Sequence, residues 1–218
     1  MKYGKVALVG ILSVGILSGC LGQKPEVKLF TVFETAATQE KSLADDKKKL
    51  EQLEKQGQEL YSEILQEGKE QNKAVIKKIE QATVNIEERE KVVHNEMTLF
   101  ENEQKRVQSA QSYIDKMKEG EMKKQAEKLK EAYEKRYQSF RKISGNYVGL
   151  LTEEKQLFEK LKGNETDLKE ISEKVKAVNI LNDEIQKERK TFNIHTRECN
   201  ELKVSFYRDA KIQVEEEK

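Results

Sequence analysis

From Leu29 to Ala210 the apolar residues of this chain recur in alternating steps of three and four, while proline occurs once, at Pro25. Steps of three and four lay side chains along one stripe of an α-helix. With no proline inside the pattern, only glycine and turn chemistry can divide it. The first predicted helix carries Leu29, Val32, Ala36, Leu43, Leu50, Leu53, Gly57, Leu60 and Ile64, and stops near Gly68. The second carries Val75, Ile79, Ala82, Ile86, Val93, Phe100, Val107, Ala110, Ile114 and Met117. It stops near Gly120, with Lys116 and Lys118 complementing the dipole of its last turn. The third runs from Met122 through Leu129, Tyr133, Phe140, Tyr147 and Leu157 to Leu161, and Gly163 closes it. Asn164 can cap the fourth, which continues through Leu168, Val175, Ile185, Phe192, Cys199 and Phe206 to Ala210.

Segments of about forty to fifty residues are roughly 60–75 Å long at ~1.5 Å per residue. Similar lengths joined by short turns make antiparallel neighbours. The expected fold is therefore all-α: an elongated antiparallel up-and-down four-helix bundle with left-handed, coiled-coil-like packing. Composition agrees, since 37% of residues are charged, 6% are aromatic and tryptophan is absent, which suits a thin aliphatic core. If the single glycine at 68 is read through, the first two helices fuse and three remain.

The stripe is not purely apolar. The same spacing places Arg89, Glu96 and Glu103 in the seam of the second helix and Arg136 and Glu154 in that of the third. The fourth contributes Asn182, Arg189, Thr196 and Lys203. The expectation is that these fix register, and that long stems carry their charges out of a thin core to water.

Ahead of the helices lies a different kind of segment. Lys2 and Lys5 precede an apolar run, Val6 to Leu17, broken only by Gly10, Ser13 and Gly15. The run ends in Leu17-Ser18-Gly19-Cys20. A basic start, a short apolar stretch and small residues are the layout of an export signal. About a dozen apolar residues are too few to span a bilayer, which takes ~20. The last four residues resemble a bacterial lipobox, which implies lipidation of the Cys20 thiol and cleavage just before it. The expected division is a removed signal at 1–19, a lipidated tether at 20–26, the helical bundle at 27–214 and a frayed acidic tail at 215–218. Losing Lys2 and Lys5 takes the 41 basic residues to 39, against 40 acidic. Near-neutrality without a one-sign block argues against nucleic acid as a partner.

Candidate chemistry in the helices is sparse. His195 and Cys199 lie four apart on one helix face, but a zinc site needs further ligands. His94, the only other histidine, is offset by about 9 Å along its own helix. No metal site or cofactor is expected, and Cys199 reads as a small core residue. Paired carboxylates are everywhere by composition and converge on no cleft, so no catalytic residues are assigned. Tyr133, Tyr137, Phe140 and Tyr147 could stack on sugar rings, although all but Tyr137 lie on the seam, where they read as core. The uncharged stretch Ile143 to Leu151 holds Gly145 and Gly149 one turn apart. Its two readings are a close helix approach and a bend that presents Asn146 and Tyr147. The binding candidates are thus Tyr137, Asn146 and Tyr147.

The combination of lipobox, Lys/Glu-rich helix over the whole mature chain, one proline and no tryptophan resembles the YkyA-type cell-wall-binding lipoproteins of Gram-positive bacteria. Only Leu17 to Cys20 carries the resemblance residue by residue. It implies a long helical bundle and a wall-associated role, and brings no catalytic residues. The resulting expectation is a non-enzymatic protein held on the extracytoplasmic face of the membrane by lipid on Cys20, binding wall polymer or scaffolding envelope components. The alternative is an adaptor that docks another envelope protein by helix pairing, through an exposed stripe including Ile76, Met97, Leu181 and Leu202.

Overall fold

A computed structural model describes residues 12–13, 24–67, 73–163, 167–212 and 215–216. The expected features at Leu17 to Cys20, Gly68 and Asn164 lie outside these residues. Among the described residues six helices form: α1 (Pro25–Glu40), α2 (Leu43–Gln66), α3 (Lys73–Ser109), α4 (Gln111–Ile114), α5 (Glu121–Lys162) and α6 (Leu168–Asp209). The one strand pairing among the described residues is two residues long and antiparallel, Leu12–Ser13 with Glu215–Glu216.

The four helical segments expected from spacing are all present, with two changes. The first is divided at Lys41 and Ser42. There Ser42 Oγ donates to the Gln39 carbonyl at 2.7 Å, and the Lys41 and Ser42 amides turn back to Thr38 and Gln39. Thr31, Thr35 and Thr38 each donate to the carbonyl four residues earlier, a habit that bends helices. The α2 helix then opens with Asp45 and Asp46 in its first turn, where carboxylates complement the dipole. The second segment ends in the single turn α4 after Ala110 donates to Val107. Gly120, at φ 152°, makes the turn into α5 that a side chain would strain.

The start of α1 at Pro25 falls within the span read as tether, because proline suits the first helical turn. The start of α6 is capped by Asp167, whose Oδ1 accepts the Lys169 amide at 2.8 Å. Its end is a Schellman turn: Ile212 donates to the Tyr207 carbonyl and Lys211 takes φ 56°.

The described chain forms two compact units, and α3, α5 and α6 each supply residues to both. Unit 1 is built from residues up to Leu43, Leu99–Phe140 and from Lys190 onward. Its core holds Leu29, Phe30, Phe33, Ala36, Val107, Ile114, Leu129, Phe206 and Tyr207. Phe33 stacks on Tyr133 at 5.0 Å between ring centroids. Unit 2 comprises Ala44–Thr98 and Arg141–Arg189, with Leu50, Leu53, Ile79, Ile86, Val93, Leu150, Phe158 and Ile185 at its centre.

Burial repeats every seven residues. In α3 it takes Ile79, Ile86, Val93, Phe100 and Val107, and in α5 it takes Leu129, Arg136, Leu150 and Leu157 with Ile143 half-buried. Each fully buried aliphatic or aromatic side chain contributes ~1.5–3 kcal/mol.

Candidate functional site

The polar seam residues do not all reach water. Arg89, Glu103, Arg136 and Lys203 are 4%, 4%, 7% and 1% exposed, so the expectation that long stems carry their charges outward fails for these four. A buried charge is tolerated only when paired and hydrogen-bonded, and the interior is arranged accordingly.

In unit 1 the arrangement centres on Arg136 of α5. Its Nη1 donates to Glu40 Oε1 at 2.6 Å, its Nη2 to Glu40 Oε2, and its Nε to Thr196 Oγ1 at 2.9 Å. The guanidinium also lies 4.7 Å from the Phe192 ring and 5.4 Å from Phe100, and Phe100 itself stacks on Phe140. One side chain therefore ties the last residue of α1 to α3, α5 and α6, using the planar fork that only arginine offers.

Glu103 of α3 shares this interior, and its Oε1 accepts no hydrogen bond. Burial, reinforced by the nearby Glu40 carboxylate, raises its pKa from 4.5 to about 9, against the opposing pull of Arg136 and Arg106. Burial thus favours the protonated form of Glu103. A second buried group of unit 1 joins α1 to α6: Lys203 Nζ lies 2.9 Å from Glu34 Oε1, to which Tyr207 also donates at 3.0 Å.

Unit 2 repeats the device with other residues. Arg89 of α3 pairs with Glu154 of α5. Asn85 donates to the Leu53 carbonyl at 2.9 Å, packed over Gly57, where a Cβ would come within 3.0 Å of Asn85 Oδ1. Glu96 is raised to about 7, first by burial and then by Asp46, with Arg189 opposing.

The sequence candidates fall on both units. Tyr137, in unit 1, is 7% exposed rather than off the seam. In unit 2, Tyr147 is 4% exposed and Asn146 half-buried. The Tyr147 hydroxyl faces Arg89 and Glu54 without closing a hydrogen bond, and burial raises its pKa. Helix α5 runs unbroken through Gly145 and Gly149. A Cβ at Gly149 would make ordinary 3.8 Å contact with Leu181, so that glycine faces α6.

Leu181 and Met97 pack against the core of unit 2, and Leu202 against that of unit 1. Ile76 is half-buried. These four are not the exposed stripe expected of an adaptor. Cys199 is buried beside Arg136, and burial pushes its thiol up to about 12. His195 Nδ1 lies 3.4 Å from Glu198 Oε2. Among the described residues no cluster of three or more His, Cys, Asp or Glu side chains could hold a metal ion.

Residues 24–209 match the family described as "YkyA: Putative cell-wall binding lipoprotein". The chain belongs to the YkyA family. It is 26% identical over 192 residues to the Bacillus subtilis (strain 168) protein named "Uncharacterized lipoprotein YkyA", covering 88% of this chain and 86% of that one. A crystal structure of a conserved Staphylococcus aureus protein of unknown function aligns over 86% of this chain and 98% of its own, at 15% identity and a TM-score of 0.44. No helix among the described residues is long and apolar enough to cross a membrane. The YkyA match spans both units and both buried arginines.

The raised pKa of Glu103 has a thermodynamic consequence. The folded state keeps a proton that the unfolded chain releases near pH 4.5, so this contribution to stability is complete below that pH and is lost as pH rises toward about 9. The same sign holds for Glu96, whose window closes near pH 7. Between pH 7 and 9 unfolding free energy should therefore fall, by at most about 1.4 kcal/mol per pH unit for one proton. Glu103→Gln should flatten that slope in urea titrations, and an unchanged slope would remove Glu103 as its source.

Proposed function

We propose that this chain is a non-enzymatic lipoprotein held on the extracytoplasmic face of the membrane by lipid on Cys20, where its helices bind cell-wall material. One observation carries the reading. A lipobox-like Leu17-Ser18-Gly19-Cys20 stands immediately ahead of the segment that matches a family of wall-binding lipoproteins, beginning at residue 24. In this proposal residues 1–19 are removed as a signal and Cys20 begins the mature tether. Two or more acyl chains on one residue anchor stably, where one chain is marginal.

The proposal includes the antiparallel, coiled-coil-like order that the spacing predicts. The seven-residue recurrence of buried positions in α3 and α5 supports it. It is a binding rather than a catalytic reading, because the buried charges of Arg89, Arg136 and Lys203 are each paired with a carboxylate on another helix. The surface is rich in both signs of charge, so contacts with wall polymer would be weak and salt-sensitive.

Cys20→Ala is expected to release the protein from the membrane fraction or to leave its leader uncut. Normal processing with retention in the membrane would contradict the anchor. Wall binding is tested by incubating the purified protein with isolated wall material. Retention at low salt that declines at moderate salt supports the proposal, and no retention at low salt refutes it.

A further inference from the structure

We propose that Glu103 is a proton-operated release for α1, donating to Glu40 while it holds a proton and taking Arg136 from Glu40 once it does not. An imbalance of charge inside unit 1 carries this. Two carboxyl groups, Glu40 at the end of α1 and Glu103 on α3, lie within hydrogen-bonding reach of each other around one buried guanidinium, Arg136. Glu40 takes both terminal nitrogens of that guanidinium, and Thr196 takes Nε. Glu103 is left with a buried oxygen, Oε1, that accepts nothing. Two carboxylates out of water repel each other when a single cation must serve both. As an acid, Glu103 is instead a donor facing an acceptor.

The other titratable and charged groups around Glu103 do not restore the balance. On α3 itself, Arg106 is one turn away and exposed. On α5, Tyr133 borders the same interior as Arg136, and burial raises its pKa. On α6, Cys199 does likewise, Lys203 is committed to Glu34 of α1, and His195 turns to Glu198.

The geometry also decides which contact yields. The Glu40 side chain is 22% exposed and that of Arg136 8%, while Glu103 is as buried as the arginine. Arg136 lies 5.4 Å from the ring of Phe100, one turn before Glu103 on α3, so it can exchange carboxylates without leaving that ring. Glu40 is followed at once by the turn at Lys41 and Ser42, a ready hinge for α1. Once detached, a sixteen-residue helix has little stability of its own. Its departure uncovers the core it shares with Val107, Ile114, Leu129 and Phe206.

The sign of the effect follows from burial, which raises the docked Glu103 from 4.5 to about 9. Docking of α1 therefore takes up a proton, and between these values it weakens by up to about tenfold per pH unit. The meaning of release for the membrane rests on the lipid-anchor proposal. There α1 continues the tether, and its sixteen residues reach roughly 50 Å extended against roughly 24 Å as a helix.

The test is hydrogen exchange of the purified full chain between pH 7 and 8.5, read as protection factors so that the intrinsic pH dependence of exchange cancels. Burial raises Cys199 and Tyr133 to ionise above this range. The α1 amides should lose protection at least about fivefold, while the amides of α5 up to Phe140, in the same unit, hold theirs. Glu103→Gln keeps a donor toward Glu40 and cannot ionise, so α1 protection should become constant across the range. Glu101→Gln, on exposed surface of the same helix, should retain the parent slope. The Glu103 carboxyl carbon of the parent chain, followed by NMR, should titrate in step with the loss of α1 protection, a comparison that needs no variant to fold. The proposal is overturned if α1 protection ignores pH, if α5 falls in parallel with α1, or if Glu103 titrates out of step. It is equally overturned if Glu103→Gln keeps the parent slope or Glu101→Gln removes it. No membrane is present, so the result is independent of the anchor, which Cys20→Ala tests separately.

Discussion

A desolvated guanidinium organises unit 1. Arg136 is 7% exposed and meets a carboxylate through both terminal nitrogens, a threonine hydroxyl through Nε, and two aromatic rings. Removing an arginine from water is expensive, and the cost is offset only if nearly every donor finds a partner. That requirement fixes the relative positions of four helices more narrowly than apolar packing would, since a leucine stripe tolerates sliding and a bidentate pair does not. Losing one partner of such a pair typically costs about 3–5 kcal/mol, because the other charge is stranded. The attachment of α1 thus depends on a residue nearly a hundred positions away in sequence.

This dependence bears on the anchor. In the proposed mature protein the tether from Cys20 leads directly into α1, so any pull from the membrane is delivered to that helix first. Its grip on unit 1 has an apolar part, Leu29, Phe30, Phe33 and Ala36, and two ionic parts, Glu34 with Lys203 and Glu40 with Arg136. A sixteen-residue helix bearing threonines that bond back to its own carbonyls has little stability alone. Tertiary contacts must hold it.

Much of the helical layout was legible from spacing. The limits of α5 follow the apolar stripe and its glycines to within a residue or two, because nothing competes with helix propensity there, whereas α6 starts at Leu168, capped by Asp167, three residues later than a cap at 164 would place it. The division after Glu40 was missed, yet Ser42-Leu43-Ala44-Asp45 has the form of a helix start, a serine followed three residues on by an acid. The apolar stripe passes through both helices and hid the break between them. The seam positions of Arg89, Glu103, Arg136 and Lys203 were also legible; their fate was not. Spacing says which face a charge occupies, whereas its partner lies on another helix, and Glu40 was absent from the seam as read. The packing of Asn85 over Gly57 escaped for the same reason, since the two lie twenty-eight residues apart on different helices.

If α1 is held through Arg136, a double-mutant cycle between Glu40 and Arg136 will show it. Urea unfolding of the parent chain, Glu40→Ala, Arg136→Ala and the double variant at one pH gives the coupling between the two side chains. A coupling of about 2 kcal/mol or more is expected, with the double variant little worse than either single one. Effects that add to within about 0.5 kcal/mol would contradict it.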